Sequence, residues 1–334
     1  MLLFALSVAP FGASSPATDR PWVFVSMPDF PNFDIAYPQP HWEAAIDWYL
    51  AQVKKERPDF VLVAGDLVDG HYWDSREQLE HLTAVYFGNW IRRMQHYGLT
   101  YYVAVGDHDI GDDPWPPEKV ALVPLFEKAF SEHFGMPANG PAGSLGRVYY
   151  VLHKNVLMVT VETFEVRDGQ VHVSVSGEQL KWLEDVLERH RHVGHIVVQG
   201  HVPVIPGAKG RSTSSLVLEG GTESAFWRLM TKYGVELYLC GEFHDVTVTR
   251  QDGILHVVHG ASWGRVDTIN YLVGRVWPDR IEIAIKAFPV TLGGGNIWNI
   301  NKPGGPRETV TIPDEAIKTG SKVIQTMTVE RPRR

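Results

Sequence analysis

Five runs of apolar, largely β-branched residues each stop at a glycine or proline and then set down an acid or an imidazole. They are Val23-Phe-Val-Ser-Met-Pro-Asp29, Val61-Leu-Val-Ala-Gly-Asp66, Val103-Ala-Val-Gly-Asp107-His108-Asp109, Ile196-Val-Val-Gln-Gly-His201 and Val235-Glu-Leu-Tyr-Leu-Cys-Gly-Glu242-Phe-His244. A strand buried on both faces reads as such a run, and the small residue after it lets the chain turn sharply. A single Gly-Asp after a strand is an ordinary turn. Five in one chain predict one sheet edge at which carboxylates and imidazoles, oxygen and nitrogen ligands for a metal ion, are gathered.

The segments between these runs have helical spacing. Trp42, Ala45, Ile46, Tyr49, Leu50 and Val53 repeat on one face of 41–57, and Pro58 closes it before the next strand. Further helices are predicted over 75–97, 117–134 and 177–190. A strand pair over 147–153 and 156–164 turns at Lys154-Asn155. From Val246 the pattern changes to antiparallel strands at 254–258, 268–277 and 280–288. Strand–helix alternation followed by antiparallel strands predicts a layered α/β sandwich. Long loops at 137–146 and 203–221 fall at the ligand-bearing edge, where they either shape access or merely connect. The glycines at 293–295 and the polar stretch from Lys318 suggest a C-terminal extension, 291–334, ending in a mobile tail.

With 334 residues, 44% of them hydrophobic, the chain can bury a large core. A formal charge of −8 and no basic stripe interleaved with aromatics argue against a nucleic-acid platform. Met1-Leu-Leu-Phe-Ala-Leu-Ser-Val-Ala, followed by small residues to Ala17, reads as a secretory leader over 1–17, although it lacks a basic n-region. A mis-assigned start or an apolar terminus is the alternative. The expected location is periplasmic or secreted, and no transmembrane segment is evident. The lone Cys240 reads as a buried inert thiol.

Taken in order, these motifs resemble those of the calcineurin-like metallophosphoesterases, over about 21–290. The family pattern is Asp-x-His, Gly-Asp, Gly-Asn-His-Asp/Glu, Gly-His and Gly-His-x-His. Here the positions read Asp29-Phe-Pro-Asn32, Gly65-Asp66, Gly106-Asp107-His108-Asp109, Gly200-His201 and Gly241-Glu242-Phe243-His244. The resemblance implies a four-layer αββα sandwich spanning 18–290, with mixed sheets and a dinuclear metal site at the C-terminal ends of the strands. It further implies that Asp66 bridges two divalent ions about 3.5–4 Å apart. Asp29 and His244 would complete one site, and Asp107, His201 and Glu242 the other. A hydroxide held between the ions would be the nucleophile towards a small phosphoester substrate. His108 would be the general acid, with Asp109 orienting its ring.

Three ligand positions depart from the pattern. Pro31 stands where the first histidine is expected, so Asn32, Asp34 or water must fill that position. Asp107 replaces asparagine and Glu242 replaces histidine. Asp29, Asp66, Asp107 and Glu242 then give a ligand charge of −4, where the two aspartates of the usual set give −2. Oxygen-rich ligation favours Mn, Mg or Fe over Zn, and a more anionic site favours diester monoanions over monoester dianions. Two alternatives from other classes remain: a catalytically impaired, metal-containing extracellular binding protein, and an extracellular carbohydrate or polyanion receptor on the same fold, suggested by eleven tryptophans and the long edge loops. Trp42, Trp90 and Trp182 sit on apolar helix faces and read as core. His71, His259, Trp263 and Arg265 follow strands but read more readily as surface or packing residues, as do His153, His190, His192 and His195.

Overall fold

The computed structural model describes residues 20–29, 41–68, 70, 73–207, 214–260, 268–292 and 310–331. The leader at 1–17 and residues Asn32, Asp34, His71, Trp263 and Arg265 lie outside that set. The first half alternates as the sequence predicts: β1 (Trp22–Ser26), α1 (Trp42–Lys55), β2 (Phe60–Ala64), α2 (Arg76–His96) and β3 (Tyr101–Ala104). Ser75 caps α2 by accepting a hydrogen bond from the Gln78 amide. The single helix expected over 117–134 is two, α3 (Pro117–Val120) and α4 (Val123–Phe134). Pro124 lies in the first turn of α4, where a missing N–H costs nothing, and so marks a new start.

The second half runs β4 (Tyr149–His153), β5 (Val156–Thr160), the hairpin β6 (Phe164–Arg167) and β7 (Gln170–Val173), α5 (Gly177–Arg189), β8 (His195–Gln199), α6 (Ala225–Lys232) and β9 (Leu237–Cys240). It continues with β10 (Thr247–Gln251), β11 (Ile254–Val258), β12 (Thr268–Val276), β13 (Arg280–Pro289), β14 (Thr291–Leu292), β15 (Val310–Thr311), α7 (Asp314–Thr319) and β16 (Lys322–Glu330). Two six-stranded mixed sheets result, in the orders β16-β13-β12-β1-β2-β3 and β10-β11-β9-β8-β5-β4. The stretch after Lys318, expected as a tail, instead forms β16 and pairs antiparallel with β13. Its polar residues misled because a strand at a sheet edge is specified by backbone pairing as much as by burial.

Three clusters of buried side chains define four layers. Phe24, Phe60 and Leu62 of one sheet meet Met158, Val197 and Leu239 of the other in the middle layer. Helices α1, α2 and α4 cover the outer face of the first sheet through Tyr49, Phe87, Trp90 and Phe130. Helices α5 and α6 cover the second through Leu183, Leu187, Phe226 and Trp227. The protein is thus an αββα sandwich. Trp90 is core, as expected, whereas Trp182 is only partly buried. Parallel pairing of β1 with β2, β2 with β3, β5 with β8 and β8 with β9 sends their C-terminal ends to one edge. Every candidate ligand inside the described residues follows one of these ends. Among the described residues no helix is long and apolar enough to cross a membrane.

Candidate metal centre

Asp29, Asp66, Asp107, His201, Glu242 and His244 converge at that edge, all buried. Four of them, Asp29 (φ 54°), Asp66 (φ 60°), Glu242 (φ 74°) and His244 (φ 53°), sit in the left-handed region. That conformation is uncommon for residues other than glycine and clusters where surrounding structure holds the chain for function. Two glycines allow the approach. A Cβ on Gly65 would lie 2.6 Å from His201 Nδ1, and one on Gly260 would overlap the Asp29 carboxylate.

The ring of His201 is oriented by its Nδ1, 2.7 Å from the carbonyl of Ala64. Donation there leaves Nε2 facing three carboxylates: Asp107 at 2.8 Å, Glu242 at 3.3 Å and Asp66 at 3.5 Å. Nε2 is fully buried, and with the proton on Nδ1 it has no hydrogen-bond donor to meet. An imidazole lone pair meeting three acceptors needs a cation among them. In the metal-free protein a second proton can fill that role: although burial opposes the charge, Asp66, Asp107 and Glu242 hold His201 well above its usual range. An imidazole anchored through one nitrogen to a backbone carbonyl, with the other nitrogen left to ligate, is also the usual arrangement of a metal-bound histidine. The residues present therefore fit a metal ion.

Asp66 belongs to two overlapping groups of converging ligand atoms, one with Asp29 and His201 and one with Asp107 and His108. Burial raises its pKa well above the ordinary range, and neighbouring Asp107 adds to this. On the first-strand side, Asp29 Oδ1 stands 3.5 Å from His244 Nε2 and accepts the Glu242 amide at 3.1 Å. Its Oδ2 is buried without a hydrogen-bond partner. Glu242 is fixed through Oε1, which accepts the Leu216 amide at 2.9 Å. Asn32 and Asp34, considered for the position vacated at Pro31, fall outside the described residues.

Asp109 takes a different place from the one expected. Its carboxylate accepts the amides of Gly106, Asp66, Leu67 and Val68 at 2.9–3.2 Å, tying the Gly-Asp turns after β2 and β3 together. Burial lifts its pKa to about 6, against the pull of those amides. The acids beside the His108 ring are instead Asp112, 3.7 Å from Nδ1, and Asp66, 3.9 Å from Nε2. Asp112 was missed; its signal was its place four residues after His108 in an aspartate-rich turn. Ser214, also unforeseen, donates to Asp113 and, at 3.4 Å, to Asp107.

His259 is fully buried rather than on the surface, with Nε2 2.9 Å from Ser26 Oγ. Burial pushes it down to about 4. His195 is likewise buried, paired with Glu236 at 3.2 Å. Cys240 is a buried free thiol.

The model of the calcineurin-like phosphoesterase family matches residues 39–246. The chain belongs to the calcineurin-like phosphoesterase family. The matched span holds Asp66, Asp107, His108, His201, Glu242 and His244, and begins after the divergent Asp29-Phe-Pro-Asn32 segment. Among solved structures, a dimetal phosphatase from Danio rerio shares the fold with a TM-score of 0.56 at 13% identity, over 94% of this chain and 100% of that one. Purple acid phosphatase PPD1 from yellow lupin (Lupinus luteus) seeds has a TM-score of 0.61 at 12% identity, over 94% of this chain and 54% of that one. GAP50, the anchor in the inner membrane complex of Plasmodium, has a TM-score of 0.55 at 13% identity, over 95% and 90%. No curated protein matches this phosphoesterase chain.

Proposed function

We propose that this protein hydrolyses phosphoester bonds at a dinuclear metal site whose ligands are Asp29, Asp66, Asp107, His201, Glu242 and His244, with His108 as general acid. The observation that carries the reading is the convergence of Asp66, Asp107 and Glu242 on the inward nitrogen of His201. Two divalent cations bound there would polarise the phosphoryl oxygens and lower the pKa of a water. The protein's own part is to hold the ligands. Asp66 spans both groups, the Ala64 carbonyl fixes the His201 tautomer, and the Leu216 amide aims Glu242. His108, flanked by Asp66 and Asp112, suits a proton donor to the departing alkoxide, because neighbouring carboxylates favour the imidazolium.

Four carboxylates in the ligand set make Mn, Mg or Fe the preferred metals and make a diester monoanion a better substrate than a monoester dianion. The test is hydrolysis of paired chromogenic monoesters and diesters by protein reconstituted with Mn or Zn, beside Asp66→Asn and His108→Ala. Activity lost in both variants supports the hydrolase. Greater efficiency on the monoester, or full activity with Zn alone, removes the charge argument.

The second reading, a metal-containing binding protein with impaired catalysis, draws on Pro31 and on the likeness to GAP50, described as an anchor. It predicts bound metal in the wild type without turnover of either ester.

A further inference from the structure

A second cleft, of about 720 Å³, is bordered by α4, α5, the start of β6 and the loop before β4. Its volume is that of a small-molecule site. Residues 141–144 of the long loop at 137–146 line it, and so does Trp182, which the sequence reading placed in the core. The Trp182 indole is held in place, its N–H donating to the Asn139 carbonyl at 2.9 Å. Phe164 also lines the cleft, and its ring centre lies 6.3 Å from that of His201; none of the described metal-ligand candidates borders the space.

Three charges in the lining are largely buried: the side chains of Arg147, Glu162 and Glu127 are 9%, 4% and 20% exposed. Arg147 Nε lies 2.9 and 3.0 Å from the two Glu162 oxygens, and Nη2 lies 3.2 Å from the Gly143 carbonyl and 3.4 Å from Glu127 Oε2. Gln179 of α5 clamps the Glu162 backbone, accepting from its amide at 2.8 Å and donating to its carbonyl at 2.9 Å. Two carboxylates thus share one guanidinium and leave a surplus negative charge away from water, where it is costly. A proton can offset it in the unliganded protein, since burial raises both acids, Glu162 to about 7.

Two atoms of this triad are left to meet a ligand. Among the described residues Arg147 Nη1 has no acceptor and Glu127 Oε1 has no donor, and neither is sealed away from the cleft that the two side chains line. Nη1 needs an oxygen, whereas Oε1 needs a donor that brings positive charge. An anion is opposed by a lining of five acids against two bases, and a cation without an acceptor leaves Nη1 unmet. We propose that this cleft binds a small amino alcohol, whose ammonium donates to Glu127 Oε1 while its hydroxyl oxygen accepts from Arg147 Nη1. Trp182 offers aromatic surface to the alkylammonium body. The site stands whether or not the metal centre is hydrolytic.

The test is titration of the full chain with 3-aminopropan-1-ol hydrochloride at constant ionic strength, read from the indole N–H resonance of Trp182, which Trp182→Phe identifies. Butylammonium, with the charge and no oxygen, and propane-1,3-diol, with oxygens and no charge, are the comparison probes. The amino alcohol is expected to shift the Trp182 resonance saturably and to bind more tightly than either. Glu127→Gln removes the surplus charge and keeps the Arg147–Glu162 pair, so it should fold with a thermal midpoint at or above the wild-type value and bind at least about tenfold more weakly. No shift with the amino alcohol, either comparison probe binding as well, undiminished affinity in Glu127→Gln, or a marked loss of stability in that variant overturns the proposal.

Discussion

His201 and His259 are the same residue in nearly the same setting, yet they are driven in opposite directions. Both are fully buried, and both follow a strand of the second sheet. His201 is held well above its usual range, whereas His259 is pushed down to about 4. Burial acts alike on both, disfavouring the imidazolium. His201 has three carboxylates within 3.5 Å of Nε2, while His259 has a serine hydroxyl on its Nε2. A buried histidine is therefore marked as a candidate ligand by the charges converging on it, and neither depth nor a strand-end position supplies that mark.

The contrast breaks most decisively at Asp66, the carboxylate shared by both ligand groups. Metal-centred stabilisation of a phosphoryl transition state is worth several kcal/mol, so Asp66→Asn should lower kcat/KM by about three decades or more. Metal content measured by mass spectrometry after gel filtration should fall with it. His201→Ala should behave similarly, whereas His259→Asn should keep bound metal and most activity. If His259→Asn emptied the site as fully as His201→Ala, the distinction between the two histidines would fail.

A second test uses pH. The folded value of His259, about 4, lies below the unfolded value near 6.5. Between these limits the unfolded chain binds more protons than the folded one, so the contribution to stability is complete above pH 6.5 and is lost as pH falls towards 4. His256, buried with Nε2 accepting the Val204 amide and pushed down to about 3, acts in the same direction. The displacement of His259 corresponds to about 3 kcal/mol at its full extent. Urea unfolding of the wild type at pH 7 and pH 5, compared with His259→Asn, should show a shallower pH dependence in the variant. Equal slopes would mean that His259 is not held neutral by the fold.

What could be read from the sequence divides along a physical line. The convergence of the candidate ligands at the ends of β2, β3, β8 and β9 was legible because a buried strand has no freedom in where it delivers its last residues. A layered α/β sandwich followed from strand–helix alternation, and its four layers from the family resemblance that the motif order carries. Asp109 and Asp112 were not separable, because two aspartates in one short turn differ only in which backbone atoms the turn brings near them. In β16 the structuring force is a backbone ladder to β13, which leaves little hydrophobic trace in residues such as Gln325, Thr326 and Thr328. His259, read as a surface or packing residue, is a packing one; its depth was not legible, since a histidine after a strand looks alike whether a serine or a carboxylate awaits it.

The smallest effect concerns how His108 is kept competent. Its ring has Asp112 at 3.7 Å from Nδ1, whereas Asp109 is committed to four backbone amides. Asp112→Asn should therefore reduce kcat by about tenfold, as loss of a group orienting a catalytic residue commonly does. It should also shift the alkaline limb of the kcat profile to lower pH, because the imidazolium loses a stabilising charge. Asp109→Ala should act instead through the fold. Hydrogen bonds to a buried charged acceptor are worth about 1.5–3 kcal/mol each, so the unfolding midpoint should drop before any specific change in the pH profile is seen. Measuring kcat against pH and urea midpoints for both variants separates the roles. A displaced alkaline limb in Asp109→Ala, with none in Asp112→Asn, would return Asp109 to the ring of His108.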